Sequence, residues 1–407
     1  MAWVRVLLRI VAVVWQDAAD ITRKGGGAEL RRGLPAGSRR YSRLETCATL
    51  CRRGMVVLRV YALLAGLLLL SGCGRGDGQR AVVVYTSHDQ IYSEPVFRRF
   101  EERTGVRVKA VYDTEATKTV GLANRLAAEA TNPQCDVFWN NEVIRTVMLK
   151  RKGALERYVS ESARDIPPGM KDAEGYWAGF AARARVLIWN TNTALTPARS
   201  HPMGEGGGGA QPSTMSIRKL TEPAWNGKVA MAYPLFGTTA THAAALFAVW
   251  GDDQAKDFFR QLKTNGVLIA DGNGAAKDMV ARGEAPLGLT DTDDAYSAVQ
   301  EGKPVRMVFP DQGADEPGTL LIPNTAALVK NCPHPEAAKK FIDFLLSREV
   351  EEMLAKSGSA QMPVRAGVPT PRDVPSLSSI KAMPVDWDKV ADKQDEVAAF
   401  LSELFVR

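Results

Sequence analysis

Apolar and polar positions fall into blocks from Ala81 onward. AVVVY is a β-branched run of the kind a parallel sheet buries on both faces, and it ends in the polar Thr86-Ser87-His88-Asp89. Pro95, Val96, Phe97 and Phe100 then form a stripe at helical spacing, stopped at Thr104-Gly105. The pattern predicts a strand over Val106 to Val111, a helix over about Ala116 to Ala130 and a strand over Asp136 to Trp139. A helix over Val143 to Lys152, closed by Gly153, follows. A second set begins near Gly179, with strands over Arg185 to Trp189, Lys228 to Ala232 and Pro286 to Thr290. Its helices are placed at Thr239 to Trp250, Gln254 to Asn265 and Asp278 to Arg282. Late in the chain Thr319 to Val329 reads as a strand and Pro335 to Leu346 as a helix with Pro in its first turn. Residues 201–216, HPMGEGGGGAQPSTMS, have the composition of a surface loop inserted within the second set. Strands alternating with helices of this length predict an α/β fold, a mostly parallel sheet covered on both faces. No internal repeat is present in the sequence.

Upstream of Ala81 the pattern changes. Met55 to Cys73, MVVLRVYALLAGLLLLSGC, carries one Arg, then an unbroken apolar run, then Leu70-Ser71-Gly72-Cys73. A basic start, a short apolar core and small residues before a cysteine are the parts of a lipoprotein signal. Residues 55–72 are therefore expected to be removed, leaving Cys73 to take the lipid and residues 73–80 to form a flexible tether. A buried helix or a membrane anchor is the alternative. Residues 1–54, broken up by Arg5, Arg9, Gly25-Gly26-Gly27 and Arg39-Arg40, fit no export scheme. They are read as a non-native or misassigned extension, with Met55 as the start.

Composition changes this picture in one respect. With 407 residues, 45% apolar and 24% charged, the chain can bury two packed domains. The formal charge of +6 would favour an anionic partner if it belonged to the folded part. Twelve of the 52 basic residues but only four of the 46 acidic ones lie in residues 1–72, so the remainder carries a formal charge of −2. Nucleic-acid binding loses its support. Of the five cysteines, Cys47 and Cys51 lie in the leader without zinc-ligand partners and Cys73 is the lipid site. Cys135 and Cys332 are read as two small buried thiols, although an exported compartment permits a disulfide.

Ligands of parallel α/β sheets sit beyond the carboxyl ends of the strands, so the strand ends carry the candidate chemistry. His88 follows the first strand and Glu142 the third; the plain alternatives are a capping or surface histidine and a carboxylate at a helix N-terminus. Gly237-Thr238-Thr239 opens a helix directly after a strand, a place suited to an anion or to ordinary hydroxyl capping. Arg183 and Arg185 add charge if they are not simply surface arginines. Asp291, Asp293 and Asp294 end the strand GLTDTDD, as ligands or as a solvated acidic turn.

Taken in order, VVVYTSHD, FEERTGVRV, NPQCDVFWNNE, LKRKGALERY, ARARVLIWNTN, WNGKVAMAYPLFGTT, ARGEAPLGLTDTDD and the segment from Ile322 to Gly358 resemble the iron(III)-type periplasmic solute-binding proteins. The resemblance covers residues 81–365 and implies the two-lobed type II periplasmic binding protein fold with hinge strands. It places lobe 1 at 81–180 and 306–350 and lobe 2 at 181–305 and 351–407, hinged near Gly179 to Arg185 and Val305 to Pro310. It implies a monomeric, lipid-anchored receptor in the periplasm or at the cell surface that hands its ligand to an ABC permease and ATPase, with no resident cofactor. The transported ligand implied is Fe(III) with a synergistic anion, held by His88, Glu142, Asp293 and Asp294. Gly237, Thr238, Thr239 and Asn273 take the anion.

Two departures matter. Glu142 stands one position later than the family's Glu, and Asp293-Asp294 replace adjacent tyrosines that bind iron in the family, with Tyr296 two residues too late. Carboxylates still suit a hard cation, and a complex without phenolates is expected to lack intense colour. A tyrosinate band would instead point to Tyr85, Tyr92 or Tyr296. The same carboxylates suit the ammonium group of an aminophosphonate or similar amino-bearing anion, the alternative ligand. A sensor subunit is the other alternative; no nucleophile elbow, HExxH or CxxC supports an enzyme.

Overall fold

A computed structural model describes residues 81–113, 120–193 and 215–406. The Cys73 lipid site, the tether and most of the 201–216 insertion lie outside the described residues.

The first set opens with β1 (Ala81–Thr86), α1 (Gln90–Thr104), β2 (Arg107–Tyr112) and α2 (Gly121–Ala128). It continues through β3 (Val137–Asn140), α3 (Ile144–Arg151) and the short β4 (Leu155–Glu156). β1 lies between β2 and β3, parallel to both. Val82, Val84, Val137, Phe138 and Trp139 have essentially no exposed surface, as the continuous apolar runs required. Gly105 ends α1 in the left-handed conformation, φ 69°, which a side chain would resist.

β5 (Ala178–Asn190) is the longest strand, 13 residues, and joins the two halves of the molecule. Its first part, Ala178 to Ala184, pairs antiparallel with β10 (Leu321–Val329), which in turn pairs with β3. Its second part, Arg185 to Trp189, pairs with β8 (Leu287–Asp291), and β9 (Val305–Val308) pairs with it alongside. The sequence pattern exposed only the second part, because Gly179-Phe180-Ala181-Ala182 lacks the β-branched residues that mark strands. Where the halves meet, the β5–β10 register shifts between Pro323 and Asn324 and Ala181 takes φ 44°. Buried Glu351 accepts the Ala181 N–H at 2.9 Å and fixes that bend.

In the second half, β6 (Val229–Ala232) lies between β7 (Leu268–Ala270) and β8, parallel to both. Helices α4 (Gly237–Trp250), α5 (Asp252–Thr264), α6 (Asn273–Ala281) and α7 (Thr292–Gln300) complete it. α4 is buried from Thr238 to Phe247, so it runs through the interior. α8 (Pro335–Leu345) and α9 (Arg348–Lys356) return to the first half, and α10 (Trp387–Leu404) packs against α4 and α3. α7 replaces the solvated acidic turn, the plain alternative for Asp293 and Asp294, with a helix start. Both lie in its first turn, where carboxylates are favoured by the helix dipole.

Candidate functional site

β5 presents Arg183 and Arg185 two residues apart, hence on one face of the strand. Of the two readings offered for them, burial removes the surface one: Arg185 is 0% and Arg183 8% exposed. Arg185 Nη1 stands 2.6 Å from Asp291 Oδ1, the last residue of β8. It also donates to Thr238 Oγ1 at 3.3 Å and Asn273 Oδ1 at 3.1 Å, while Nη2 donates to Thr239 Oγ1 at 3.3 Å. Thr238 Oγ1 donates to Asp291 Oδ2 at 2.5 Å, and Asn273 Nδ2 donates to the same oxygen at 3.1 Å. Neither threonine caps its helix through its side chain. Thr238, Thr239, Asn273 and Asp291 therefore come together around Arg185 as one largely buried network, while the Gly237 carbonyl accepts Thr241 Oγ1 at 3.4 Å.

Burial alone would raise the Asp291 pKa, but Arg185 and Arg183 hold it below the ordinary carboxylate range. Asp294 moves the other way. Burial first, then Asp293 and Asp291, push its carboxyl up to about 8, against the donation it receives from Thr290 Oγ1 at 3.1 Å. Oxygens of Asp291, Asp293 and Asp294 lie within 4.8 Å of one another, a spacing that can hold a metal ion. Nearby His242 on α4 is driven down to about 3 by burial and then by Arg185, and is neutral at physiological pH.

From the first half, His88 is 4% exposed and its ring stacks on Trp139 at 5.2 Å, which removes the surface-histidine reading. Its other ring neighbour is Tyr92, 6.0 Å away on α1. The Tyr92 phenol is raised by burial and then by the charges of Asp293, Asp89 and Asp294. It stands in the first turn of α1, just beyond the end of β1, and the sequence offers it only as one of three tyrosines that a tyrosinate band would point to. Tyr85 is elsewhere, its hydroxyl donating to Glu129 at 2.9 Å, and Tyr296 packs against the second-half core.

Glu142 is 1% exposed and accepts the Ile144 and Arg145 N–H groups at 2.7 and 2.8 Å, the helix-terminal arrangement weighed above. It also accepts Thr241 Oγ1 from α4 at 3.1 Å, which ties the halves together. A second tie is Arg183 Nη2, which donates to the Asn141 carbonyl at 2.7 Å. Cys135 and Cys332 are free thiols, Cys135 buried and Cys332 half-buried.

Two α/β halves, joined by a strand that bends between them and meeting at charged strand ends, define a ligand receptor of the type II periplasmic binding protein fold. The chain belongs to the family of bacterial extracellular solute-binding proteins, whose pattern it matches over residues 96–382. It is thus an extracytoplasmic binding protein of an ABC transporter, not an enzyme. Iron uptake protein A1 of Synechocystis sp. is 26% identical over 352 residues, 81% of this chain and 91% of that protein. A putative 2-aminoethylphosphonate-binding periplasmic protein of Salmonella typhimurium is 24% identical over 313 residues, 74% of this chain and 84% of that one. Iron-bound HitA from Pseudomonas aeruginosa superimposes with a TM-score of 0.68 at 22% identity, covering 80% of this chain and 99% of that structure.

Proposed function

We propose that the chain is the lipid-anchored receptor of an ABC importer that captures iron(III) between its two lobes and delivers it to a permease. The observation that carries this reading is the convergence of Asp291, Asp293 and Asp294 within 4.8 Å at the β8–α7 junction. Hard trivalent iron takes carboxylate and phenolate oxygen. Asp293, Asp294 and Tyr92 supply such oxygen, with His88 beside them, while Asp291 stays with Arg185. Glu142 lines the first-lobe wall through its bond to Thr241 rather than standing free for a metal. The lobes are read as 81–180 with 306–350 and 181–305 with 351–407, except that β9 goes with the second half and α9 with the first, and β5 is the hinge. Cys73 carries the lipid, and the iron uptake proteins among the relatives support the choice of cargo.

A second reading, an amino-bearing anion such as an aminophosphonate, draws on Arg183, whose Nε is buried without a hydrogen-bond partner among the described residues. Asp293 and Asp294 would then face the ammonium group and Arg183 the anion. Thermal unfolding with ferric citrate, phosphate or 2-aminoethylphosphonate separates the two. A ligand at a hundred times its Kd stabilises by about 2.7 kcal/mol. The iron reading expects that shift with ferric citrate and none with 2-aminoethylphosphonate; the reverse result refutes it.

A further inference from the structure

Arg183 sits among the carboxylates where a bound cation would be. Its Nη1 is 3.3 Å from Asp291 Oδ2 and 3.2 Å from Asp293 Oδ2, and its side chain is 10% exposed. Arg185, one strand repeat further on, is locked to Asp291 at 2.6 Å with its side chain wholly buried. The two arginines therefore differ in kind. If Arg183 moves away, Asp291 keeps Arg185, Thr238 and Asn273, so no buried carboxylate is left without a partner. Its longer contacts to the carboxylates and its slight exposure make Arg183 the member of the cluster that a ligand can shift.

We infer that Arg183 is a resident counter-cation, displaced from Asp291 and Asp293 when the ligand enters, and that it sets the charge the site demands. This rests on the cation reading proposed above. Coulomb attraction to each carboxylate scales with the charge of the entering ion, whereas the cost of lifting off Arg183 is the same for every ion. A fixed cost lowers the affinity of every ion by the same factor, so weakly attracted divalent ions fall below useful binding while a trivalent ion, attracted more strongly, still binds. Displacement also breaks the Arg183 bond to the Asn141 carbonyl, so occupancy in the second lobe is felt at the end of β3 in the first.

The test is calorimetric titration of the full chain and of Arg183→Lys and Arg183→Gln with manganese(II) chloride, ferric citrate and 2-aminoethylphosphonate, with circular dichroism to verify folding. Lysine keeps the charge but cannot bridge two carboxylates and a carbonyl as the guanidinium does. Manganese and ferric affinities are both expected to rise from wild type to Lys to Gln, by a similar factor of about tenfold or more for Gln. Unchanged manganese affinity, or a parallel loss of both metals, overturns the inference. Should Arg183→Gln not fold, Arg183→Lys alone decides it, and manganese affinity no higher than wild type overturns it. If no variant takes either metal and Arg183→Gln loses 2-aminoethylphosphonate, the cation reading has failed first, and Arg183 is an anion hold.

Discussion

Arg185 and Asp291 form an ion pair 2.6 Å long with side chains 0% and 1% exposed, at the point where β5 meets β8. Removing one member of such a pair leaves a buried charge without its partner, which costs about 3–5 kcal/mol. Arg185→Met is expected to lower stability by that amount in urea unfolding. The double variant Arg185→Met with Asp291→Leu should recover much of the loss. A single variant as stable as wild type would show that the pair is not structural.

Stability should depend on pH through Asp294 and His242. The Asp294 carboxyl is pushed up to about 8 from an ordinary 3.8, so between these values the folded chain holds a proton that the unfolded chain has lost. Its contribution is full below about pH 4 and falls toward pH 8, with a slope of up to about 1.4 kcal/mol per pH unit. His242, held down to about 3 from an ordinary 6.5, acts oppositely and lowers stability as pH falls below 6.5. The two slopes cancel in part between pH 4 and 6.5, and from 6.5 to 8 only Asp294 acts. The urea midpoint is expected to decline over that upper range in wild type but not in Asp294→Asn. An equal decline in both contradicts the assignment.

The lipid anchor rests on Leu70-Ser71-Gly72-Cys73. Cys73→Ala is expected to move the protein from the membrane fraction to the soluble fraction, read by fractionation and immunoblot. An unchanged membrane fraction would refute lipidation at Cys73.

Both strand–helix sets are visible in the sequence because buried parallel strands such as Val82 to Tyr85 and Val137 to Trp139 are apolar without interruption. β5 is half hidden, since its small residues owe their strand geometry to pairing with β10 rather than to propensity. α10 escapes the reading because its charged residues, including the Asp386 cap, mask the stripe of Val390, Val397 and Leu401. At the site, Asp291, Asp293, Asp294, Thr238, Thr239 and Asn273 are legible as strand ends and helix starts. Who pairs with whom is not. Arg185 takes Asp291, Glu142 takes its own helix, and Tyr92, in the first turn of α1, comes within the field of Asp293 and Asp294 only through tertiary packing.

The most direct test of the account is titration with ferric citrate, followed by calorimetry and visible absorbance, for wild type, Asp293→Asn, Asp294→Asn and Tyr92→Phe. Tyr92 within the field of Asp293 and Asp294 changes the colour expected from the sequence: one tyrosinate charge-transfer band should appear in wild type and vanish in Tyr92→Phe. Each Asp→Asn change should weaken ferric binding by at least about tenfold, the loss of one charge-assisted ligand contact. Ferric binding that keeps its wild-type affinity in both Asn variants would contradict the account.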